Sequence, residues 1–297
     1  MLINSTSLNA LRVGFNGSFN RGLEQADTQY GRVATTVPSS TKENRYGWLG
    51  KMPNVRKWVG PRAIQGIAEH DYSIKNEPFE LTIGVDRDDI EDDNLGVYDP
   101  LFVEMGESVA AHPDQLIWDL LKAGFATKCY DGQYFFDTDH PVLDANGQPT
   151  TASNTGGGSG DPWFLMNTRR AIKPLIYQER KKPQFVAKDK PTDDNVFDRK
   201  EYVYGTDLRC NVGFGFWQMA FGSKQTLDTA SFKAARQGMM SLKGDYARPL
   251  GIVPDLLVVG PSLEGAAEEI LKADRNAAGA TNTQKGKVEM LVVPWLA

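Results

Sequence analysis

DRDDIEDDNLGVYDPLFVEMGESVAAHPDQLIWDLLKAG, residues 86–124, carries the pattern that decides the fold class. Tyr98, Leu101, Phe102, Met105 and Val109 recur three and four residues apart, which lines them along one face of a helix. The acidic run Asp86–Asp93 precedes that face, and carboxylates at a helix start interact favourably with its dipole. A calcium loop does not fit the run. Counting from Asp89, the sixth position is Asn94 instead of glycine and the twelfth is Pro100 instead of glutamate. Pro113 and Asp114 suit an opening turn, Leu116, Ile117, Leu120 and Leu121 continue an apolar face, and Gly124 stops it. The spacing predicts one long helix over residues 96–124, with a candidate kink at His112-Pro113.

On the N-terminal side, Leu8, Leu11, Phe15, Phe19 and Leu23 share a helical face after the polar cap Ser5-Thr6-Ser7. Gly14, Gly17 and Gly22 each weaken that helix by up to ~1 kcal/mol, so it needs a partner surface and reads as an arm. Residues 31–85 read as a long excursion. It leaves through a strand at Val33–Val37 and returns where Phe79, Leu81, Ile83 and Val85 alternate with polar or small residues. Its middle, YGWLGKMPNVRKWVG (Tyr46–Gly60), has neither period. Trp48, Leu49, Met52, Val55, Trp58 and Val59 there are too apolar for an irregular loop to bury by itself, which marks a surface that needs a partner.

On the C-terminal side, Leu143–Asp161 reads as an exposed Gly/Ser/Thr/Asn loop. Ile172–Val186 and Glu201–Phe221 read as long strands flanking a charged connector, KDKPTDDN. A helix after Asp228, a buried strand at Asp255–Val259, a helix at Ser262–Ala273 and a last strand at Val288–Val293 suggest a second domain from about Thr226. The class is α+β.

With 297 residues and 40% hydrophobic content the chain can build one large core or two modest ones. Its longest apolar runs fall short of the ~20 residues that cross a bilayer, and MLINSTSLNALR lacks the apolar stretch of a secretion signal. A net charge of −5 does not suit a dedicated nucleic-acid binder. Cys129 and Cys210 have no metal-like spacing and read as reduced, partly buried thiols. The three histidines form no metal-ligand motif; the densest donor group is Asp137, Asp139 and His140, which reads more simply as a turn after a strand. Gly213-Phe214-Gly215 lacks the third glycine of a dinucleotide fingerprint, and Arg180-Lys181-Lys182 reads as a solvated strand edge. No acid–base or nucleophile constellation passes its spacing test.

Several segments together carry a family likeness: YGWLGKMPNVRKWVG, DRDDIEDDNLG, YDGQYFFDTDHP, AIKPLIYQERKKPQFVAK, EYVYGTDLRCNVGFGFWQMAFG, DLLVVGPSLEGAA and RNAAGATN. They closely resemble the major head subunit family of Mu-like transposable phages and prophages, in order along nearly the whole chain. That resemblance implies an α+β class, the Hong Kong 97-type capsid fold. Residues 1–30 would be the N-terminal arm and 31–94 the extended loop. Residues 95–225 would be a peripheral domain with a spine helix at 95–125 and long strands at 170–222, and 226–297 an axial domain. It implies a structural protein and not an enzyme, without cofactor or metal, that self-assembles into hexamers and pentamers of an icosahedral head enclosing double-stranded DNA. Scaffold, maturation protease, portal and the packaged DNA would be its partners, with no membrane. Its location would be the virion capsid, and the host cytoplasm during assembly. Inter-subunit contacts are expected from Trp48, Leu49, Met52, Val55, Trp58 and Val59 in the loop and from Leu8, Leu11, Phe15 and Phe19 in the arm. The alternatives are an encapsulin-like compartment of the same fold and a metal-dependent hydrolase using Asp137, Asp139 and His140.

Overall fold

A computed structural model describes residues 4–49, 72–92, 95–276 and 279–297. Helix α1 (Ser5–Gln25) opens on a capping box: Asn4 accepts the Ser7 N–H at 2.9 Å, and the Ser7 hydroxyl accepts the Asn4 N–H at 3.1 Å. Strands β1 (Ala34–Pro38), β2 (Glu43–Arg45), β3 (Ser73–Lys75) and β4 (Glu77–Asp86) follow. Asp86 then caps a separate short helix, α2 (Arg87–Glu91), by accepting the Asp88 N–H at 2.8 Å. The acidic run therefore serves α2. The long helix, α3 (Asp99–Ala123), starts at Asp99 instead of residue 96 and runs through Pro113 without a break. Next to that proline, the buried Asp114 carboxylate accepts the Gln29 N–H with both oxygens at 3.0 Å and the Trp118 indole N–H at 3.0 Å. These bonds fix the turn and tether the chain that leaves α1.

The rest of the chain is mostly β. It comprises β5 (His140–Leu143), β6 (Pro149–Ala152), β7 (Thr155–Gly158), β8 (Trp163–Met166), β9 (Leu175–Lys188), α4 (Asp194–Arg199), β10 (Glu201–Phe214) and β11 (Ala220–Lys224). Then come α5 (Thr229–Ser241), β12 (Lys243–Gly244), β13 (Arg248–Pro249), β14 (Leu256–Val259), α6 (Glu264–Leu271) and β15 (Glu289–Val292). The stretch Leu143–Asp161, expected to be a plain loop, contains β6 and β7; β6 pairs with β5, and β7 joins a sheet edge beside β11.

Two sheets organise the molecule. The first has the order β1-β9-β10-β4, with β9 and β10 forming a long antiparallel hairpin. Beyond Glu179, β9 has lost its β1 neighbour and its residues alternate between half-buried and exposed, so Arg180-Lys181-Lys182 does lie on an edge. Helices α1 and α3 cover the inner face of this sheet. Phe15 stacks on Phe102 with centroids 4.2 Å apart, and Tyr204 of β10 meets both rings edge-on at 5.2 and 5.6 Å. Each such pair adds about 0.5–1.5 kcal/mol beyond the area it buries.

The second sheet has the order β15-β14-β8-β11-β7. Its strands come from both sides of Thr226, so the expected boundary there does not separate two sheets. The reason is pairing: β8 lies antiparallel between β11 and β14, and its Trp163, Phe164, Leu165 and Met166 are all fully buried. Residues 155–166 thus complete the sheet that the C-terminal segment needs. Likewise β1 and β4, expected as parts of the extended loop, are the outer strands of the first sheet.

Glycine sets how closely α1 approaches α3. A Cβ on Gly22 would overlap the Val103 carbonyl oxygen, and one on Gly106 would overlap the Phe19 carbonyl oxygen. Both obstacles are backbone and cannot rotate away. Gly106→Ala should therefore destabilise the subunit by about 1–3 kcal/mol, the usual range for overpacking, with early proteolytic release of α1. Gly14→Ala, which meets open space, should be neutral or stabilising. Denaturant titration and limited proteolysis of the two variants check this.

Candidate assembly surface

The extended segment leaves the first sheet after β1, and its base is closed by β2 and β3, which pair antiparallel from Glu43↔Lys75 to Arg45↔Ser73. Gln178 of β9, fully buried, holds this base. Its Oε1 accepts the Tyr46 hydroxyl at 2.7 Å, and its Nε2 donates to the Ile74 carbonyl at 3.0 Å and to Asn76 Oδ1 at 2.8 Å. Asn76 passes the chain of bonds on, donating to Ser39 Oγ and the Thr41 carbonyl, both at 2.8 Å. Tyr72 ties the base to β10: its hydroxyl oxygen accepts the Phe214 N–H at 2.7 Å. Burial pushes the Tyr46 and Tyr72 phenols up to about 12, so both remain neutral hydrogen-bonding groups at neutral pH.

Trp48 sits just beyond this clamp, 37% exposed, edge-on to Tyr46 at 5.8 Å and to Phe216 at 6.0 Å. Leu49 is fully buried in the subunit's own core. The expected contact residues Met52, Val55, Trp58 and Val59 lie outside the described residues. Of the expected loop contacts, Leu49 is therefore internal, and Trp48 presents only part of its ring.

The expectation for the arm needs a correction as well. Leu8, Phe15 and Phe19 are buried within their own chain, and Leu11 packs partly buried against the same core. Helix α1 does need a partner surface, as its glycines implied, but α3 of the same chain supplies it. Ser18 and Arg21 reinforce the contact through Asp99; the Arg21–Asp99 ion pair spans 2.9 Å.

Among the described residues, the most exposed large apolar side chain is one the sequence reading did not single out. Phe197 on α4, at the tip of the β9–β10 hairpin, is 86% exposed. The signal was a lone phenylalanine inside a charged connector, VFDRK, with no periodic partner.

The hydrolase alternative is not assembled. Both ring nitrogens of buried His140 face other groups, Asp131 at 2.7 Å and Asn154 at 3.2 Å, while Asp137 and Asp139 lie at the surface and interact with each other. Cys129 and Cys210 are buried free thiols, and burial raises both well above the usual thiol range. Among the described residues, no helix is long and apolar enough to cross a membrane.

Comparison with known proteins supplies the remaining context. The family model described as "Mu-like prophage major head subunit gpT" matches residues 8–296. The major capsid protein of Escherichia phage Mu is 45% identical over 305 aligned positions, covering all of both chains. The Mu-like prophage FluMu major head subunit of Haemophilus influenzae is 43% identical, covering 90% of this chain and 89% of that one. Among solved structures, a subunit of the bacteriophage JBD30 procapsid superimposes with a TM-score of 0.88 at 47% identity, covering 99% of this chain and 100% of that one. A subunit of the JBD30 capsid superimposes with a TM-score of 0.79 at 36% identity, each chain fully covered.

The clamp at the loop base gives a direct test. Gln178→Leu keeps the volume but leaves the buried Tyr46 hydroxyl and Asn76 with unmet bonds, which costs about 1–3 kcal/mol per group. The expected result is faster hydrogen exchange in residues 41–49 and 72–76, with the α1–α3 region unchanged. Equal loss of protection across the whole chain would refute a local clamp.

Proposed function

Because the chain belongs to the Mu-like prophage major head subunit family, we propose that it forms the shell of a Mu-like phage head by self-association. The observation that carries this reading is the end-to-end match, in sequence and in fold, to subunits of the JBD30 procapsid and capsid. The fold is the α+β capsid fold of the Hong Kong 97 type, and the protein is structural, not catalytic. Full-length relatives that are head subunits favour this reading over a cargo compartment.

In the finer reading, the subunits form hexamers and pentamers of an icosahedral head around double-stranded DNA. Scaffold, maturation protease and portal act during assembly in the host cytoplasm. Contacts between copies come from the segment around Met52, Val55, Trp58 and Val59, from the exposed part of Trp48, and from Phe197. The geometry supports this division. The bonds at Gln178 fix the β2–β3 base on which the segment is carried, and the Phe197 tip is held out on two strands of 14 residues each. A fixed base makes contacts repeatable between identical copies, as a closed symmetric shell requires.

Trp58→Ala should weaken each contact by about 2–4 kcal/mol, the usual range for an interface anchor, and abolish particles while leaving the melting of dispersed subunits unchanged. Phe197→Ser should behave similarly in milder form. Trp48→Ala should lower both particle yield and subunit stability, because its ring also packs on Tyr46 and Phe216. Sedimentation of assembly reactions and thermal unfolding of dispersed subunits measure the two effects separately. Undiminished particles from Trp58→Ala would remove the loop from the interface.

A further inference from the structure

Asparagine followed directly by glycine occurs at Asn16-Gly17 and at Asn146-Gly147. The pair has a chemistry of its own. The backbone nitrogen of the second residue can attack the side-chain amide carbon of the first, and a glycine has no Cβ to obstruct the approach. Both asparagines are exposed, so access to water does not distinguish them. Backbone geometry does.

Ring closure needs an asparagine ψ that brings the following nitrogen against Cγ, away from the helical value of about −42°. Asn16 lies inside α1, and its Oδ1 accepts the Asn20 side-chain amide at 3.3 Å. Around the pair, Phe15, Ser18 and Phe19 are buried, and Phe15 stacks on Phe102 of α3. For Asn16 to react, a docked helix would have to open.

Asn146 and Gly147 instead form the tip of the β5–β6 hairpin, beyond the pair Leu143↔Pro149. Gly147 has a φ of +79°, a left-handed conformation that glycine enters at little cost. Its N–H donates to the Asp144 carbonyl at 3.1 Å. Asp144 Oδ1 accepts the N–H groups of Asn146 and Gln148, both at 2.8 Å, while the Asn146 side chain has no hydrogen-bond partner among the described residues. Only an exposed turn has to open here.

We propose that Asn146 is a site of spontaneous covalent modification that lengthens the main chain of this turn. The Gly147 nitrogen bonds to Asn146 Cγ, the bond from Cγ to the side-chain nitrogen breaks, and that nitrogen leaves as ammonia with the proton of the Gly147 N–H. A five-membered succinimide results. Water then adds to one of the two ring carbonyl carbons and breaks its bond to the Gly147 nitrogen. Attack at Cγ gives aspartate, and attack at the backbone carbonyl gives isoaspartate, whose main chain runs through the former side chain. The sum exchanges water for ammonia and needs no oxidant.

The turn is poorly able to absorb the product. A new carboxylate stands next to Asp144, and the longer chain displaces the Gln148 N–H from the Asp144 carboxylate. The hairpin also supports a second turn: Asp245 accepts the Leu143 N–H at 3.0 Å, and a Cβ on Gly147 would lie 3.4 Å from the Tyr246 ring. Tyr246 and Ala247 there hold φ values of 62° and 56°, which side chains disfavour, so that turn depends on its contacts. Modification at Asn146 loosens both turns. The inference does not depend on whether the chain builds a phage head.

The test ages the full chain as dispersed subunits in mildly alkaline buffer, with a urea-unfolded sample beside it. Peptide mass spectrometry follows both asparagine-glycine pairs, and electron-based fragmentation separates aspartate from isoaspartate. In the folded chain Asn146 should convert at least about tenfold faster than Asn16, as the greater cost of opening a docked helix requires. In urea the two should convert alike. Hydrogen exchange at residues 143–149 and 245–247 should quicken as the native chain ages and stay constant in Asn146→Gln, whose longer side chain cannot close the five-membered ring. Equal conversion at both sites in the folded chain would overturn the assignment, as would an unchanged Asn146 while the unfolded sample converts. Conversion with unaltered exchange would overturn the loosening of the two turns.

Discussion

Backbone contact between α1 and α3 at Gly22 and Gly106 sets the geometry on which the rest of the subunit depends. With no Cβ at either position the helices approach until carbonyl oxygens fill the space a methyl group would take. At that distance Phe15 reaches Phe102, and both reach Tyr204 on the sheet beneath. The same approach puts the exit of α1 beside Asp114, whose buried carboxylate holds the next stretch of chain. Glycine lowers the intrinsic stability of α1 and makes its docking possible.

Beyond that contact, buried polar side chains hold the links around the two sheets. The first sheet is clamped to the extended segment through Gln178, a buried amide that satisfies a phenol, a carbonyl and a second amide. The link to the second sheet, from Phe214 to Ala220, runs past His140 and Asn154. Both arrangements use polar side chains inside an otherwise apolar core. Directional bonds can fix where a chain turns, which apolar packing does less selectively.

The residues most suited to meeting other copies are those the subunit does not cover. Phe197 projects from the hairpin, whereas Leu49 and the arm residues Leu8, Phe15 and Phe19 are internal. The Gly/Ser-rich stretch after β5 stays largely exposed, although β7 within it forms an edge of the second sheet. Exposure thus separates residues that hold the subunit together from those free to hold subunits to each other.

The sequence by itself determined the elements whose information is local. Helical spacing located α1, α3 and α6, alternation located β4, and Asp228 marked the start of α5, where it forms a capping box with Ser231. The segment likeness also identified the family, because many short motifs kept their order. Tertiary structure alone decided what depends on distant partners. It placed α1 on its own α3, because glycine contacts leave no periodic trace. It carried β8 across the expected boundary at Thr226, because strand pairing joins residues far apart in the chain. It also turned His140 away from Asp137 and Asp139 toward Asp131 and Asn154. Neighbours in sequence do not fix which way a buried ring points; the donors and acceptors packed around it do.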